Sequence, residues 1–279
     1  MASTSLSAAK RHRISGARSL VALALGWLLA GAGPVPVIRQ IPAEEAWQGV
    51  ASDGRHVYAI DNSRIGKYRI ADGVRVAEWR GDPALIPHLN SCTIARRRLV
   101  CASSNYPAVP QASSVEFFDP RTVRHVGSHS FGIAEGSLTA FDWHRGSWWA
   151  VFAHYDGKGG VPGVDHRHSQ LVQFDAAFRP MQRWTFPAAV LERMKPYSAS
   201  GASWSAAGQL AISGHDRPEI YLLMLPAAGS MLRLDGIVDI ASEGQAIDWD
   251  PQKPTRLWSI SRARRVLMQS DFGPAPGNR

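Results

Sequence analysis

The chain has 279 residues, 45% of them hydrophobic, which is enough for one large globular domain with an apolar core. Its 25 Gly, 18 Pro and 10 Trp indicate many turns, and long apolar helical stripes are hard to find after the first 35 residues, so the composition favours an all-β protein of short strands. Residues 1–32 hold four basic residues and no acidic one, so the net charge of +8 falls to +4 without them, too little for a nucleic-acid-binding face.

The N-terminal segment predicts an export signal over residues 1–32. Basic residues up to Arg18 precede an apolar run that begins at Leu20, and Ala30 and Ala32 fit the small residues that signal peptidase reads. An uncleaved membrane anchor is the alternative, but the run is shorter than the roughly 20 apolar residues that a spanning helix needs. We therefore expect a periplasmic or secreted protein without stable membrane insertion after the signal is removed.

Five later segments repeat one plan: a polar or small start, a short strand, a turn, a second strand, a polar cluster and a third strand. Their starts are separated by 42, 47, 63 and 45 residues and lie at Gln48, Asn90, Ser137, Ser200 and Gln245. Repeats of about 40 to 50 residues with four strands each are typical of β-propellers. The sequence predicts an all-β fold with a single five-bladed β-propeller over residues 33–272 and a disordered tail over 273–279. A β-sandwich is the alternative fold, but it does not predict the repeat.

The two ends of the repeat array complement each other. The fifth repeat ends after its third strand, whereas the strand-like residues 36–42 precede the first repeat and have no partner of their own. We expect the N-terminal strand to become the outer strand of the last blade, because this closure removes the unpaired end of the ring.

Cys92 and Cys101 flank a predicted hairpin turn in the second repeat. Pairing them places Ile94 opposite Leu99, and directly opposed residues of an antiparallel pair lie close enough for a disulfide. Because export is predicted, a disulfide is favoured over a metal or catalytic thiol. Two free buried cysteines are the alternative.

The blade starts WQGV, EGSL and EGQAI resemble small secreted propellers of the glutaminyl-cyclotransferase type, which open strands with Gln-Gly or Glu-Gly pairs. The stretches SSNYPAVPQASSVEFFD, SGASWSAAGQLAISGHDRPEIYLLMLP and EGQAIDWDP resemble a group of exported bacterial propellers that often carry the label cycloisomerase. The resemblance spans most of residues 36–270 and implies the propeller fold. It also implies that Glu135 and Glu243 contribute to a central site, whereas Gln48 and Ser200 depart from this pattern.

Polar residues are concentrated where the blades are expected to meet. The first strand of a blade lines the channel and begins beside the end of the second strand, so these ends converge at one mouth. The second-strand ends supply Asp61 with Asn62, Ser104 with Asn105, His154 with Asp156, His215 with Asp216, and Arg262. We predict a funnel that binds a small polar or anionic molecule through Gln48, Asn62, Asn90, Asn105, Glu135, Glu243, Gln245 and Arg262. Turn capping around a water-filled channel is the alternative.

His154 and His215 occupy equivalent positions in adjacent repeats, and an Asp follows each within two residues. Two imidazoles with carboxylates suit a divalent metal, or a proton donor and acceptor near neutral pH. We predict His154, His215 and Asp216 as catalytic residues and His154 and His215 as metal ligands. Arg262 suits a carboxylate or phosphate because its planar fork donates two parallel hydrogen bonds.

The Gly-rich residues 156–169 form an insert in the third repeat. They lack the Gly-Lys-Ser/Thr ending of a phosphate-binding loop, so nucleotide binding is poorly supported. Asp165, His166 and His168 suit a metal, but we expect a mobile loop projecting over the mouth.

Three functions are consistent with the sequence. The first is a hydrolase, lyase or cyclising transferase, the second is a non-catalytic binding module for a small-molecule ligand, and the third is a scaffold that binds protein through its outer faces. We expect a monomer.

Overall fold

A computed structural model describes Met1, residues 33–133 and residues 135–273. Apart from Met1 and Gly273, the predicted signal segment and the predicted tail lie outside the described residues. Within these ranges, twenty strands form five sheets of four strands each, and a single α-helix has seven residues. The predicted five-bladed β-propeller is confirmed. No helix of the described ranges is both long enough and apolar enough to cross a membrane.

The first strand, β1 (Val37–Pro42), precedes four blades whose strands pair in chain order as antiparallel meanders. Blade one consists of β2 (Gly49–Ser52), β3 (His56–Asp61), β4 (Arg64–Arg69) and β5 (Arg75–Arg80). Blade two consists of β6 (His88–Ala95), β7 (Arg98–Ser104), β8 (Ser113–Phe118) and β9 (His125–Gly132). Blade three consists of β10 (Ser137–His144), β11 (Ser147–Ala153), β12 (Gln170–Phe174) and β13 (Pro180–Thr185). Blade four consists of β14 (Gly201–Trp204), β15 (Leu210–Ser213), β16 (Glu219–Met224) and β17 (Arg233–Asp239).

The fifth blade closes the ring with both ends of the array. It consists of β18 (Asp248–Trp249), β19 (Arg256–Ser261), β20 (Val266–Asp271) and the N-terminal β1. β1 pairs antiparallel with β20, and Ile41 lies opposite Leu267. Ile41 is buried in one cluster with Trp258 and Leu267. The predicted closure by the N-terminal strand is therefore confirmed.

Burial follows the position of each strand within its blade. The inner strands are buried along nearly their whole length, and β3 and β11 are continuous apolar runs for that reason. The outer strands β9 and β17 alternate between exposed and half-buried residues because one face contacts solvent.

Glycine begins two of the inner strands because the blades approach each other closely at this end of the channel. A Cβ at Gly49 would lie 2.7 Å from the Asn90 carbonyl oxygen, and one at Gly201 would lie 2.4 Å from Ala246 Cα. The absence of a side chain at these positions brings the mouth residues of adjacent blades within contact distance.

The predicted disulfide is present in the hairpin of β6 and β7. Cys92 and Cys101 are directly opposed, with 4.0 Å between their Cα atoms, and both are buried. A disulfide and the lack of a spanning helix in the described ranges are compatible with an exported protein.

Helix α1 (Ala188–Met194) follows blade three and covers the seam between blades three and four. Val190, Leu191 and Met194 form its apolar face and pack into the cluster that contains Trp204. The insert of blade three contains a single 3-10 turn, His166–His168, which lies close to α1.

Candidate functional site

Register brings the predicted mouth residues to one end of the channel. His88 opposes Ser104 in blade two, and Gly201 opposes Ser213 in blade four, so the start of each first strand lies beside the end of the second strand. The polar residues that flank these positions therefore surround the same opening.

Arg262 is the principal positive charge of this mouth. One of its terminal nitrogens, Nη1, lies 3.3 Å from Nε2 of His215, and its guanidinium carbon lies 4.3 Å from the centre of the Trp47 ring. Burial is the largest influence on its pKa and lowers it, but arginine stays charged at neutral pH. Among the described residues, no carboxylate lies within 4.0 Å of its nitrogens. The half-buried guanidinium thus contacts the imidazole of His215 and the Trp47 ring, which Arg265 also contacts, and no carboxylate among the described residues.

His215 is oriented by Asp216 on one side and by Tyr197 on the other. The Asp216 carboxylate contacts Nδ1, and the Tyr197 ring stacks on the imidazole with 4.1 Å between centroids. A carboxylate at Nδ1 favours the tautomer that carries its proton there, which leaves the Nε2 lone pair to accept a hydrogen bond from Arg262. These contacts connect Asp216, His215 and Arg262 in one chain across the mouth.

His88 belongs to the same cluster, although the sequence reasoning missed it. Burial lowers its pKa to about 4, and the positive charge of Arg262 also acts to lower it. The imidazole is therefore neutral at neutral pH. Its ring lies 5.3 Å from Tyr106, which lies 5.2 Å from Tyr155. Strand alternation is the signal that points to it, because His88 stands two residues before Asn90.

The amide side chains predicted at the mouth form hydrogen bonds with one another and with the nearby backbone. Gln48 donates to the Asn62 side chain at 2.8 Å, and the buried Asn90 donates to the Leu138 carbonyl at 2.7 Å. Gln245 donates to the His215 carbonyl at 3.1 Å. Its φ of 127° is rare for a residue other than glycine, and such conformations concentrate at functional sites.

Two other predicted residues organise local structure near the mouth. Glu243 accepts hydrogen bonds from the Ser261 hydroxyl at 3.2 Å and the Ala263 amide at 2.9 Å. Asn105 donates to the Pro110 carbonyl at 3.0 Å within an exposed loop.

The structure does not bring Glu135 to the channel. Its carboxylate forms a two-pronged ion pair with Arg183, at 2.5 Å and 2.7 Å. Arg183 lies on β13, the outermost strand of blade three. The carboxylate of the Glu-Gly pair before β10 therefore points toward the outer edge of the blade.

His154 and His215 are not brought together either. His154 lies against Gly136, and its ring is 6.3 Å from His168; among the described residues it shares no hydrogen bond, ion pair or ring contact with His215. The next residue, Tyr155, donates to the Ser137 hydroxyl at 3.1 Å and contacts the mouth aromatics instead. Alternation along the chain explains the difference, because successive side chains point to opposite faces.

The insert of blade three lies beside the mouth. Gly159 lies so close to the Tyr106 ring that an added Cβ would be 2.6 Å from it, and its carbonyl accepts from Gln111 at 2.8 Å. Asp156 does not accompany His154 into a site, because its carboxylate holds His166 within the insert, at 2.6 Å from Nδ1.

The opposite end of the channel carries a second group of polar residues that was not predicted. A cavity of about 250 Å³ is lined there by one oxygen-bearing side chain from each inner strand: Ser52, Thr93, Asp142, Ser203 and Asp248. Burial raises the pKa of Asp142 to about 6, and burial together with the charge of Asp142 raises that of Asp248 well above its usual value. The signal is the Asp-Trp pair that repeats three and five share.

The chain matches no protein-family model and no curated protein. Among solved structures it is similar to a luciferin-regenerating enzyme, with 12% identity, 86% of this chain and 96% of that chain covered, and a TM-score of 0.50. It is also similar to the PQQ-bound form of an aldose sugar dehydrogenase from Streptomyces coelicolor, with 13% identity, 90% and 85% covered, and a TM-score of 0.53. At these identities the likeness shows the propeller fold alone, and the cyclotransferase resemblance stays a prediction.

Proposed function

We propose that the mouth around Arg262 binds a small anionic molecule. The observation that carries this proposal is the half-buried guanidinium, which contacts the His215 imidazole and the Trp47 indole ring and has no carboxylate within 4.0 Å among the described residues. A charge withdrawn from water is costly unless an opposite charge pairs with it. A carboxylate or phosphate on the ligand would supply that charge, in the two-pronged geometry that arginine favours.

The aromatic side chains around Arg262 favour a ligand with a flat, partly apolar body. The ring of Trp47 contacts Arg262, the ring of Tyr197 stacks on His215, and the rings of His88 and Tyr106 contact each other. Aromatic walls exclude water and so strengthen the attraction between the guanidinium and an anion. The amides of Gln48 and Asn62 add donors and acceptors for polar groups on the ligand.

The Asp216–His215 pair supports a catalytic role as a second candidate function. A carboxylate on Nδ1 fixes the tautomer and the orientation of the ring, as a general base requires. Release of Nε2 from Arg262 when an anion binds would free it to take a proton. The activity would then be that of a hydrolase, lyase or cyclising transferase, with His215 and Asp216 as the residues that carry it.

A thermal-shift panel tests the binding proposal. Benzoate, malate and inorganic phosphate supply the anion, and benzamide is the uncharged match for benzoate. We expect at least one anion to raise the unfolding temperature and benzamide not to do so. Arg262→Ala should remove the shift, whereas Arg264→Ala, on the same turn but bonded to Ser261 and Gln40, should keep it. Equal shifts in both variants, or none with any anion, would contradict the proposal.

Turnover separates the catalytic from the non-catalytic form. Consumption of the bound anion by the parent but not by His215→Ala would support catalysis by His215. Binding without consumption favours the binding module, and failure of all anions leaves the protein-binding scaffold. The disulfide supports a periplasmic or secreted location for any of these roles, which cell fractionation would test.

A further inference from the structure

A second cavity, of about 680 Å³, lies between the insert of blade three and helix α1, away from Arg262. Its lining includes Asp156, Asp165, His166, Glu192 and Lys195. One donor atom from each of Asp156, Asp165 and His166 lies within 4.8 Å of the other two. The cavity thus combines an imidazole and three carboxylates from two separate elements.

His166 is held rigidly at the base of this cavity. The Asp156 Oδ1 atom lies 2.6 Å from its Nδ1 and also accepts from its backbone amide at 3.0 Å. This contact favours the tautomer with the proton on Nδ1, so the Nε2 lone pair is directed away from Asp156. The same carboxylate–histidine arrangement orients metal-bound histidines in many proteins.

Nε2 of His166 has no hydrogen-bond partner among the described residues, although the side chain is only 3% exposed. The nearest charged atom is Glu192 Oε1, 3.8 Å away, while Lys195 contacts the other oxygen, Oε2, at 2.9 Å. A buried nitrogen lone pair and a carboxylate oxygen therefore face each other across a gap too long for a hydrogen bond. Two acceptors in this position repel each other unless a cation lies between them.

We propose that this gap binds a divalent transition metal, with Zn²⁺ as the ion to test. Zinc bonds to nitrogen and oxygen are each about 2.0–2.2 Å long, so a bent N–Zn–O arrangement spans a 3.8 Å separation. His166 Nε2 and Glu192 Oε1 are the first two ligands. Asp156 stays on Nδ1 as the orienting carboxylate, and water completes the coordination. The open side of the cavity leaves room for water or an external ligand.

Zinc titration of the chelator-treated, dialysed full chain by calorimetry, with elemental analysis of the product, tests this site. We expect one zinc per chain. His166→Ala should weaken binding at least a hundredfold, and Asp156→Asn should weaken it about ten- to a hundredfold through loss of ring orientation. Glu192→Gln should weaken it at least tenfold, and because Glu192 is 57% exposed, this variant does not threaten folding.

His168→Ala is the matched control, because His168 stands on the same 3-10 turn and is 54% exposed. It should bind zinc like the parent. Equal zinc affinity in His166→Ala and the parent would overturn the proposal. Absence of zinc binding by the parent would also overturn it, and is the result expected if His166 and Glu192 simply form an ion pair. Loss of zinc binding in a His154→Ala/His215→Ala double variant, with zinc binding kept in His166→Ala, would also overturn the proposal. That result would place the metal at the mouth.

Discussion

Arg262 owes its availability to the absence of a carboxylate among its immediate contacts in the described residues. The carboxylates that influence its pKa, those of Asp216, Glu243 and Asp61, are bonded elsewhere, Asp61 to Arg64. Asp216 contacts His215, and Glu243 accepts from Ala263. The charge of Arg262 therefore has no paired carboxylate among the described residues, as the proposed anion site requires.

His88 should make the stability of the protein depend on pH. Its pKa is about 4 in the folded protein against 6.5 for an ordinary histidine, so the unfolded chain binds the additional proton between these values. The stability contribution of the neutral ring is fully present above pH 6.5 and is lost as the pH falls toward 4. We expect the parent to lose up to about 2 kcal/mol more than His88→Phe between pH 7 and pH 4.5.

Urea unfolding of both proteins at the two pH values measures this difference. His88→Phe keeps a ring beside Tyr106 but cannot take up a proton. The comparison cancels the contributions of other titrating groups. An identical loss of stability in parent and variant would show that His88 is not buried in its neutral form.

At the level of strands, the sequence predicted the blades well and the faces of their residues poorly. The predicted blade starts Gln48 and Ser200 immediately precede β2 and β14. His154 was expected at the mouth, yet Tyr155 contacts it, because successive side chains point to opposite faces and Tyr155 is the next residue along the chain. Which of two neighbouring residues faces the mouth depends on contacts between strands, so no local pattern in the sequence reveals it.

The hairpin of β6 and β7 should be stabilised by its disulfide. The bridge joins residues nine apart, and closing a loop of this size in the unfolded chain is worth about 2.5 kcal/mol. We expect the Cys92→Ala/Cys101→Ala double variant to keep the fold and to lose roughly that free energy of unfolding in guanidinium titrations. Parent protein treated with a reductant should approach the variant. If reduction leaves the unfolding midpoint unchanged, the disulfide does not contribute in this way.

At the scale of the whole molecule, ring closure should make the N-terminal strand essential for stability. Removal of residues 1–42 deletes β1, exposes the edge of β20 and uncovers Trp258 and Leu267. A protein that lacks only residues 1–32 keeps β1 and is the matched control. We expect the longer deletion to unfold about 10 °C lower, from a loss of roughly 3 kcal/mol. Equal melting temperatures would mean that the ring is held without β1.

The channel has mouths of opposite chemical character. Arg262 and the neutral imidazole of His88 lie at one end, whereas Asp142 and the buried Asp248 lie at the other. The repeat array predicted that polar side chains would converge at one mouth. It could not predict which end would hold a positive charge without a paired carboxylate, because that depends on which charges are already paired in the folded chain.

Direct titration tests the anion site most sharply. Calorimetry would compare parent, Arg262→Ala and Arg264→Ala, using whichever of benzoate, malate or inorganic phosphate gives the largest thermal shift. We predict saturable binding with one site per chain, at least tenfold weaker in Arg262→Ala because the ion pair is lost, and unchanged in Arg264→Ala. Binding of equal strength in Arg262→Ala and the parent would contradict the assignment of the mouth as an anion site.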